Sequence, residues 1–133
     1  MKRTIASLAL LLTLVVGPNI ARGEEQHIKV NLEPNGSSGV SGFVVLTQLP
    51  HGGAVVNVVA SGLKPGTVYT SFYYEASDCT EPADPLETFT AGDDGSGHAH
   101  GKIDDDLDEV GSVSVRLGTA PEYGELQACA KVH

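Results

Sequence analysis

The sequence contains no tryptophan, a single methionine and few basic residues. Its 133 residues include 8 Lys and Arg against 17 Asp and Glu, which gives a formal net charge of −9 at pH 7. This charge repels the phosphate backbone of nucleic acids and anionic lipid surfaces, so it argues against partners of either kind. Only one stretch, residues 5–17, is apolar enough to be considered for a membrane, and no second such stretch follows it.

The apolar stretch has the features of a signal peptide. Lys2 and Arg3 precede it, it is too short for a stable membrane-spanning helix, and a small-x-small cleavage site lies at 21–23. We predict a signal peptide over 1–23, with a membrane anchor as the less favoured alternative, and one mature domain over 24–133 that is secreted or periplasmic. The leader would remove three of the eight basic residues and no acidic residue, leaving an acidic protein of net charge −12.

The chain has two cysteines, Cys79 and Cys129, and both lie in the predicted mature domain. An even number of cysteines in an oxidising compartment predicts one disulfide bond, with two unpaired buried thiols as the alternative. Closing a loop of this length stabilises a fold by roughly 4 kcal/mol in the chain-entropy model.

Short apolar segments separated by turn residues predict an all-β fold. Proline and glycine mark the turns, because proline presets φ and glycine supplies positive φ. No window shows a sustained helical period. The predicted strands are His27–Glu33, Gly42–Leu49, Ala54–Ala60, Val68–Glu75, Leu86–Ala91, Gly97–Ile103, Ser112–Leu117 and Leu126–Val132. Eight such strands indicate an antiparallel sandwich or flattened barrel.

Several motifs occur in an order that is similar to that of the copper/zinc superoxide dismutase family. They are Gly39-Val40-Ser41-Gly42, Ser61-Gly62-Leu63-Lys64-Pro65-Gly66, Cys79 in a loop, Thr90-Ala91-Gly92-Asp93-Asp94-Gly95, and Ala128-Cys129-Ala130 near the end. The resemblance covers nearly all of the mature domain. It implies an eight-stranded Greek-key sandwich with a Cys79–Cys129 disulfide. Residues 63–69 also resemble the tyrosine corner of fibronectin type III domains, but too much chain follows them for that family.

The departures from the family pattern concern its metal ligands. Where the resemblance implies a His-x-His copper motif, the chain has Phe72-Tyr73-Tyr74, and no histidine occurs at 115–118 for the late copper ligand. The histidine-rich zinc loop is absent between Cys79 and the next strand, and Leu126 stands at the position of the family's guiding arginine. We predict a non-catalytic binding or structural module without catalytic residues. The alternative is a metal-binding protein or a residual copper/zinc superoxide dismutase-type enzyme.

His98 and His100 are the candidate metal ligands. Alternation along a strand places both imidazoles on one face, where zinc or copper is the ion they would bind, weakly. Asp93, Asp94 or a second chain would have to complete the site. The alternative, which we favour, is an exposed pair without a ligand.

Two further surfaces are candidates for recognition. The acidic run 104–109 lacks the spacing of a calcium loop, so we interpret it as a solvated loop. Tyr69, Tyr73 and Tyr74 form a candidate interaction patch in a chain with few aromatic residues. The predicted partner is a protein or a surface component, or a second copy of the chain in a homodimer.

Overall fold

The computed structural model describes residues 26–133, and the predicted signal peptide lies outside this range. The strands are β1 His27–Pro34, β2 Ser41–Gln48, β3 Ala54–Ser61, β4 Val68–Tyr74, β5 Ala83–Thr90, β6 Gly97–Ile103, β7 Ser112–Leu117 and β8 Leu126–Lys131. All the strand pairs are antiparallel, and the eight strands form one sheet in the order β5-β4-β7-β8-β1-β2-β3-β6. The predicted all-β fold with eight antiparallel strands is confirmed.

The predicted strand boundaries agree with the structure to within about one residue, except at β5. This strand begins at Ala83, three residues before the predicted start at Leu86. The start of β5 was predicted too late because Pro82 and Pro85 flank it, and proline normally interrupts strand pairing. Pro85 is accommodated because β5 is the last strand in the hydrogen-bonded order and its register with β4 shifts at Ser71/Phe72.

The sheet curls into a nearly closed barrel, with β1 shared between its two halves. β1 pairs with β2 along most of its length and with β8 only at Glu33 and Pro34. At the remaining gap, side chains of β5 cover the backbone of β6: Phe89 lies over Gly97, and Leu86 lies over Gly101. A Cβ at Gly97 would collide with the Phe89 ring, so glycine at this position permits the closure.

Alternation along the strands fills the barrel interior with small and branched apolar side chains. In β3, for example, Val56 and Val58 are fully buried, whereas their neighbours are half-exposed. The interior also includes Tyr69, whose hydroxyl accepts a hydrogen bond of 2.9 Å from the Lys64 backbone N–H. This bond has the pattern of a tyrosine corner and satisfies the buried phenol.

A second, smaller apolar layer lies outside the barrel against β4, β7 and β8. Phe72 and Tyr74 of β4 and Cys79 of the loop after β4 form it, and Tyr123 of the loop between β7 and β8 packs against both aromatic rings. The Cys79–Cys129 disulfide, with Cα atoms 6.1 Å apart, joins the loop after β4 to β8, as the resemblance implies. Cys79 has a positive φ of 57°, a conformation that non-glycine residues seldom adopt. The outer surface of this half of the barrel is therefore closed by the chain itself.

Helical structure in residues 26–133 is limited to a three-residue 3-10 helix, Leu107–Glu109. No helix in this range is long and apolar enough to cross a membrane. The short helix lies within the acidic run that the sequence predicts as a loop.

Candidate functional site

The positions at which the resemblance implies copper ligands meet on the outer side of β4 and β7. Phe72 and Tyr74 point outward from β4, and Arg116 points outward from the neighbouring strand β7. The Arg116 side chain donates from Nε to the Tyr74 hydroxyl over 2.9 Å. A guanidinium group therefore lies beside the residues that replace the expected histidines.

Arg116 contacts three separate segments of the chain. Besides Tyr74, it donates from one terminal nitrogen to the Gly124 carbonyl over 2.9 Å and from the other to the Cys79 carbonyl over 3.0 Å. Its guanidinium carbon lies 3.7 Å from the centroid of the Tyr123 ring, which gives a cation–π contact. Arg116 is only 9% exposed, so these contacts form away from bulk water. We call this group the Arg116 cluster.

The hydroxyl groups of the Arg116 cluster are also hydrogen-bonded. The Tyr74 hydroxyl lies 2.6 Å from the Ser114 hydroxyl and 3.3 Å from that of Tyr123. Burial, followed by the hydrogen bond to Tyr74, raises the pKa of Tyr123 well above the ordinary tyrosine value. Both effects favour the neutral phenol, so Tyr123 offers no phenolate at neutral pH.

These residues do not fit a copper ion. Phenylalanine has no lone pair, a neutral phenol is a poor copper(II) ligand, and a permanently charged guanidinium has no acceptor atom. The positive charge of Arg116 would moreover repel a second cation in the same space. The guanidinium of Arg116 therefore has a structural role at this position, and the side chains around it do not form a copper site.

His98 and His100 lie on the outer face of β6, where alternation predicts them, with Ala99 buried between them. The Nδ1 atom of His100 lies 2.7 Å from Oδ1 of Asn57, and its backbone N–H donates to Glu87 over 3.2 Å. Asp94, one of the carboxylates proposed to complete a metal site, instead accepts two hydrogen bonds from Ser96. Within residues 26–133, the histidine pair is not part of any group of three potential metal ligands.

The acidic run brings together Asp106, Asp108 and Glu109, which are the one such group in the described part of the chain. The Oδ1 atom of Asp106 accepts bonds from the Gln48 side chain over 3.0 Å and from the Gly53 backbone over 2.9 Å. These bonds lower the pKa of Asp106, with the Gln48 bond as the larger cause. Asp106 thus fastens the acidic run to the turn between β2 and β3, which gives its carboxylate a structural role.

The candidate tyrosine patch is not a continuous surface. Tyr69 and Tyr74 are 2% and 1% exposed, because the first enters the barrel interior and the second is packed against Arg116 and Tyr123. Tyr73 alone is half-exposed, and burial together with the nearby Asp105 carboxylate raises its pKa well above the usual value. The sequence pattern identified an aromatic cluster but not the loop that covers its outer side.

The outer face of β1, β2, β3 and β6 is not covered by any loop-borne apolar cluster in the described residues, and apolar side chains remain half-exposed on it. The strand register defines it as three rows of four residues, which we call the β1–β2–β3–β6 face. The rows are Asn31, Phe43, Val59 and His98; Lys29, Val45, Asn57 and His100; and His27, Thr47, Val55 and Lys102. Four half-exposed apolar residues thus occupy the two central strands.

Charge on the β1–β2–β3–β6 face differs from that of the chain as a whole. None of its twelve residues is acidic, although the sequence has more than twice as many acidic as basic residues. Lys29 lies on one margin, with its Nζ atom 4.4 Å from the Phe43 ring centroid, and Lys102 lies on the other. His27 Nδ1 lies 2.9 Å from the Thr47 hydroxyl on the first margin. The three rows therefore have an apolar centre with one lysine on each margin, while exposed Glu33 follows Asn31 along β1 and the Glu87 carboxylate reaches the backbone of His100 on β6.

A shallow cavity of about 390 Å³ adjoins one end of this face. His27, Asp108 and His133 contribute to its lining, and the His133 ring lies 3.1 Å from the Leu107 carbonyl. These three side chains do not converge into a metal-binding group. The cavity therefore places Asp108 near His27, but its lining does not form a separate binding site.

No protein-family model matches the chain, and no curated protein matches it at a significant level. Its function must therefore be argued from the chemistry of these surfaces.

Proposed function

We propose that this protein is an exported, non-catalytic β-barrel module of the superoxide dismutase-like type, and that it acts by binding a partner. The order of the sequence motifs, the eight-stranded antiparallel barrel and the Cys79–Cys129 disulfide support the resemblance. A buried disulfide is also compatible with export. The proposal includes cleavage of the leader after residue 23 and a secreted or periplasmic location.

The Arg116 cluster is the main observation in favour of a non-catalytic protein. Redox chemistry on superoxide requires a bound metal that changes oxidation state. The residues at the implied copper positions are instead an arginine, a tyrosine and a phenylalanine, and the arginine donates hydrogen bonds to Tyr74, Gly124 and Cys79. Any metal bound elsewhere, for example at the His98–His100 pair, would lie on a different face of the barrel.

The binding part rests on the uncovered β1–β2–β3–β6 face. Its apolar centre and charged margins have the arrangement of a protein interface, in which an apolar core is surrounded by a polar rim. On the opposite half of the barrel, Phe72 and Tyr74 offer no such surface, because Tyr123 of the loop between β7 and β8 packs against both rings.

The decisive experiment measures metal content and dismutase activity on the same preparation. The exported protein is purified without chelators, incubated with one equivalent each of copper and zinc, and freed from unbound metal. We expect no activity above that of the same buffer without protein. Activity that rises in proportion to protein-bound copper would refute the non-catalytic proposal.

A further inference from the structure

The turn after β1 contains the one Asn-Gly pair of the sequence, Asn35-Gly36. It follows the β1–β8 seam, the short stretch in which Glu33 and Pro34 pair with β8. We propose that Asn35 is a site of spontaneous deamidation, and that its conversion to aspartate or isoaspartate loosens the β1–β8 seam. The inference is independent of the proposed partner-binding function.

Deamidation at an Asn-Gly pair proceeds through a five-membered ring. The backbone nitrogen of Gly36 bonds to Cγ of Asn35 and loses its proton to solvent, while the Cγ–Nδ2 bond breaks and ammonia leaves. Water then opens the succinimide at either of its carbonyl carbons, which gives aspartate or isoaspartate. The net reaction converts an amide and one water molecule into a carboxylate and an ammonium ion. Glycine favours the ring closure, because no Cβ shields its nitrogen and its backbone reaches conformations that other residues avoid.

The turn leaves the Gly36 nitrogen accessible. Residues 34–37 are exposed, and the Ser38 backbone N–H closes the turn by donating to the Asn35 carbonyl over 3.2 Å. Gly36 occupies the first central position of this turn with a φ of 58°. A Cβ at Gly36 would have no atom within 4 Å, and the Gly36 N–H donates to no other residue of the range 26–133. Neither packing nor a hydrogen bond therefore withdraws this nitrogen from the Asn35 side chain.

Asn35 also fastens the turn to β8. Its backbone N–H donates to the Gln127 carbonyl over 2.8 Å, and its side-chain Nδ2 donates to the Leu126 carbonyl over 3.1 Å. The Ser38 hydroxyl donates to the same Gln127 carbonyl over 2.6 Å. These three bonds lie directly beside the β1–β8 seam, so a change in the Asn35 side chain acts on the place where the two halves of the barrel meet.

A carboxylate in place of the amide disrupts this attachment. It has no N–H to donate, so its oxygen and the Leu126 carbonyl oxygen would both be acceptors. The new negative charge also lies close in the chain to exposed Glu33, and exposed Glu125 precedes the Leu126 acceptor. Isoaspartate further lengthens the main chain by one carbon atom, which displaces Ser38 relative to Gln127. Both products therefore loosen the β1–β8 seam.

The test follows the exported protein during incubation at pH 8 and 37 °C. Isoelectric focusing separates the species that have gained one negative charge, and peptide mapping with fragmentation locates the change. Asn31 and Asn57 are internal controls, because each lies in a paired strand and precedes a bulkier residue. Aspartate and isoaspartate should accumulate at Asn35 at least about tenfold faster than at either control.

Two pairs of variants separate the chemistry from its effect on the fold. Asn35→Gln keeps an amide but would have to close a less favourable six-membered ring, so the acidic species should disappear. Asn31→Gln is its matched control and should leave them unchanged. Asn35→Asp should lower the melting temperature by about 2–5 °C, the shift expected for loss of one ordinary hydrogen bond in a domain of this size. Asn31→Asp adds the same charge at an exposed position of β1 and should shift it by less than about 1 °C.

Three results would overturn the proposal. Equal rates at Asn35 and at the control asparagines, or acidic species that persist in Asn35→Gln, would remove the modification site. A melting temperature of Asn35→Asp equal to that of Asn31→Asp would remove its effect on the β1–β8 seam. All three leave the dismutase measurement untouched, so they refute the modification site or its consequence without deciding the proposed function.

Discussion

Replacement of Arg116 by methionine tests whether a buried arginine holds the loops of the second layer in place. The substitution keeps a long apolar stem but removes the charge, the three hydrogen bonds and the contact with the Tyr123 ring. The three acceptors of Arg116 differ in whether another donor remains for them. The Tyr74 hydroxyl retains Ser114 as a partner, and the Cys79 carbonyl retains the Tyr123 hydroxyl at 3.3 Å. The Gly124 carbonyl loses the Arg116 donor, which is 2.9 Å away.

The expected loss in the free energy of unfolding follows from the hydrogen bonds that Arg116→Met removes. A polar group left without its buried partner destabilises a fold by about 1–3 kcal/mol, and each lost hydrogen bond from a charged donor contributes about 1.5–3 kcal/mol before compensation. Two of the three acceptors are compensated, and the variant no longer has to desolvate a charge. We therefore expect the free energy of unfolding to fall by about 3 kcal/mol, a large fraction of the 5–15 kcal/mol that is typical of single domains.

Equilibrium urea unfolding of the disulfide-intact protein at pH 7 measures this loss. Lys131→Met removes an exposed cation from β8 and should change the free energy of unfolding by less than about 0.5 kcal/mol. Arg116→Lys keeps the charge but cannot reproduce the planar fork that contacts three acceptors, so it should restore less than half of the loss. The reasoning fails if Arg116→Met stays within about 0.5 kcal/mol of the unmodified protein, or if Arg116→Lys matches it.

Three shorter predictions concern other parts of the molecule. Cys129→Ser should lower the free energy of unfolding by about 2–5 kcal/mol in urea titrations, and a loss below about 1 kcal/mol would contradict the anchoring role of the disulfide. Micromolar zinc should leave the melting temperature unchanged; a saturable rise that disappears in both His98→Ala and His100→Ala would instead favour the metal-binding alternative. Hydrogen bonds to the ionised carboxylate lower the pKa of Asp106 in the folded state. Asp106 therefore stabilises the fold fully above the ordinary aspartate pKa of about 3.9, and this contribution is lost as the pH falls through the lower, folded-state pKa. The difference in urea midpoint between the unmodified protein and Asp106→Ala should therefore be constant from pH 7 to pH 5 and shrink below pH 4.

Local patterns were sufficient to predict most of the fold. Strand alternation and turn residues predict β6 and β7 with the boundaries found, and they place His98 and His100 on an outer face. Such patterns could not predict that β5 and β6 meet at the barrel gap, because this closure depends on Phe89 lying over Gly97 and Leu86 lying over Gly101. The early start of β5 was missed for a related reason: Pro85 is compatible with a strand only where no further strand needs its N–H.

Long-range coverage explains what the sequence could not show. Arg116 alternates with Val115 and Leu117 in a manner typical of an exposed strand residue, yet it is buried because segments 37 residues upstream and 8 residues downstream fold over it. The downstream segment also covers Tyr74 through Tyr123, so the residues of the predicted tyrosine patch do not form one exposed surface. The β1–β2–β3–β6 face could not be predicted either, because its rows of half-exposed apolar residues form only when four strands are placed in register.

On the proposed relationship to the superoxide dismutases, the Arg116 cluster separates two roles that a bound metal ion combines. A metal holds its ligands in fixed positions, and it also exchanges electrons or polarises a substrate. Arg116 can fill only the first of these roles. It joins Tyr74 of β4, Cys79 of the disulfide loop and Gly124 of the β7–β8 loop, but it has neither an open coordination position nor an accessible oxidation state. With the loops fixed in this way, the covered half of the barrel serves stability. On the proposed function, the opposite face is then the surface for recognition, because apolar side chains remain half-exposed there.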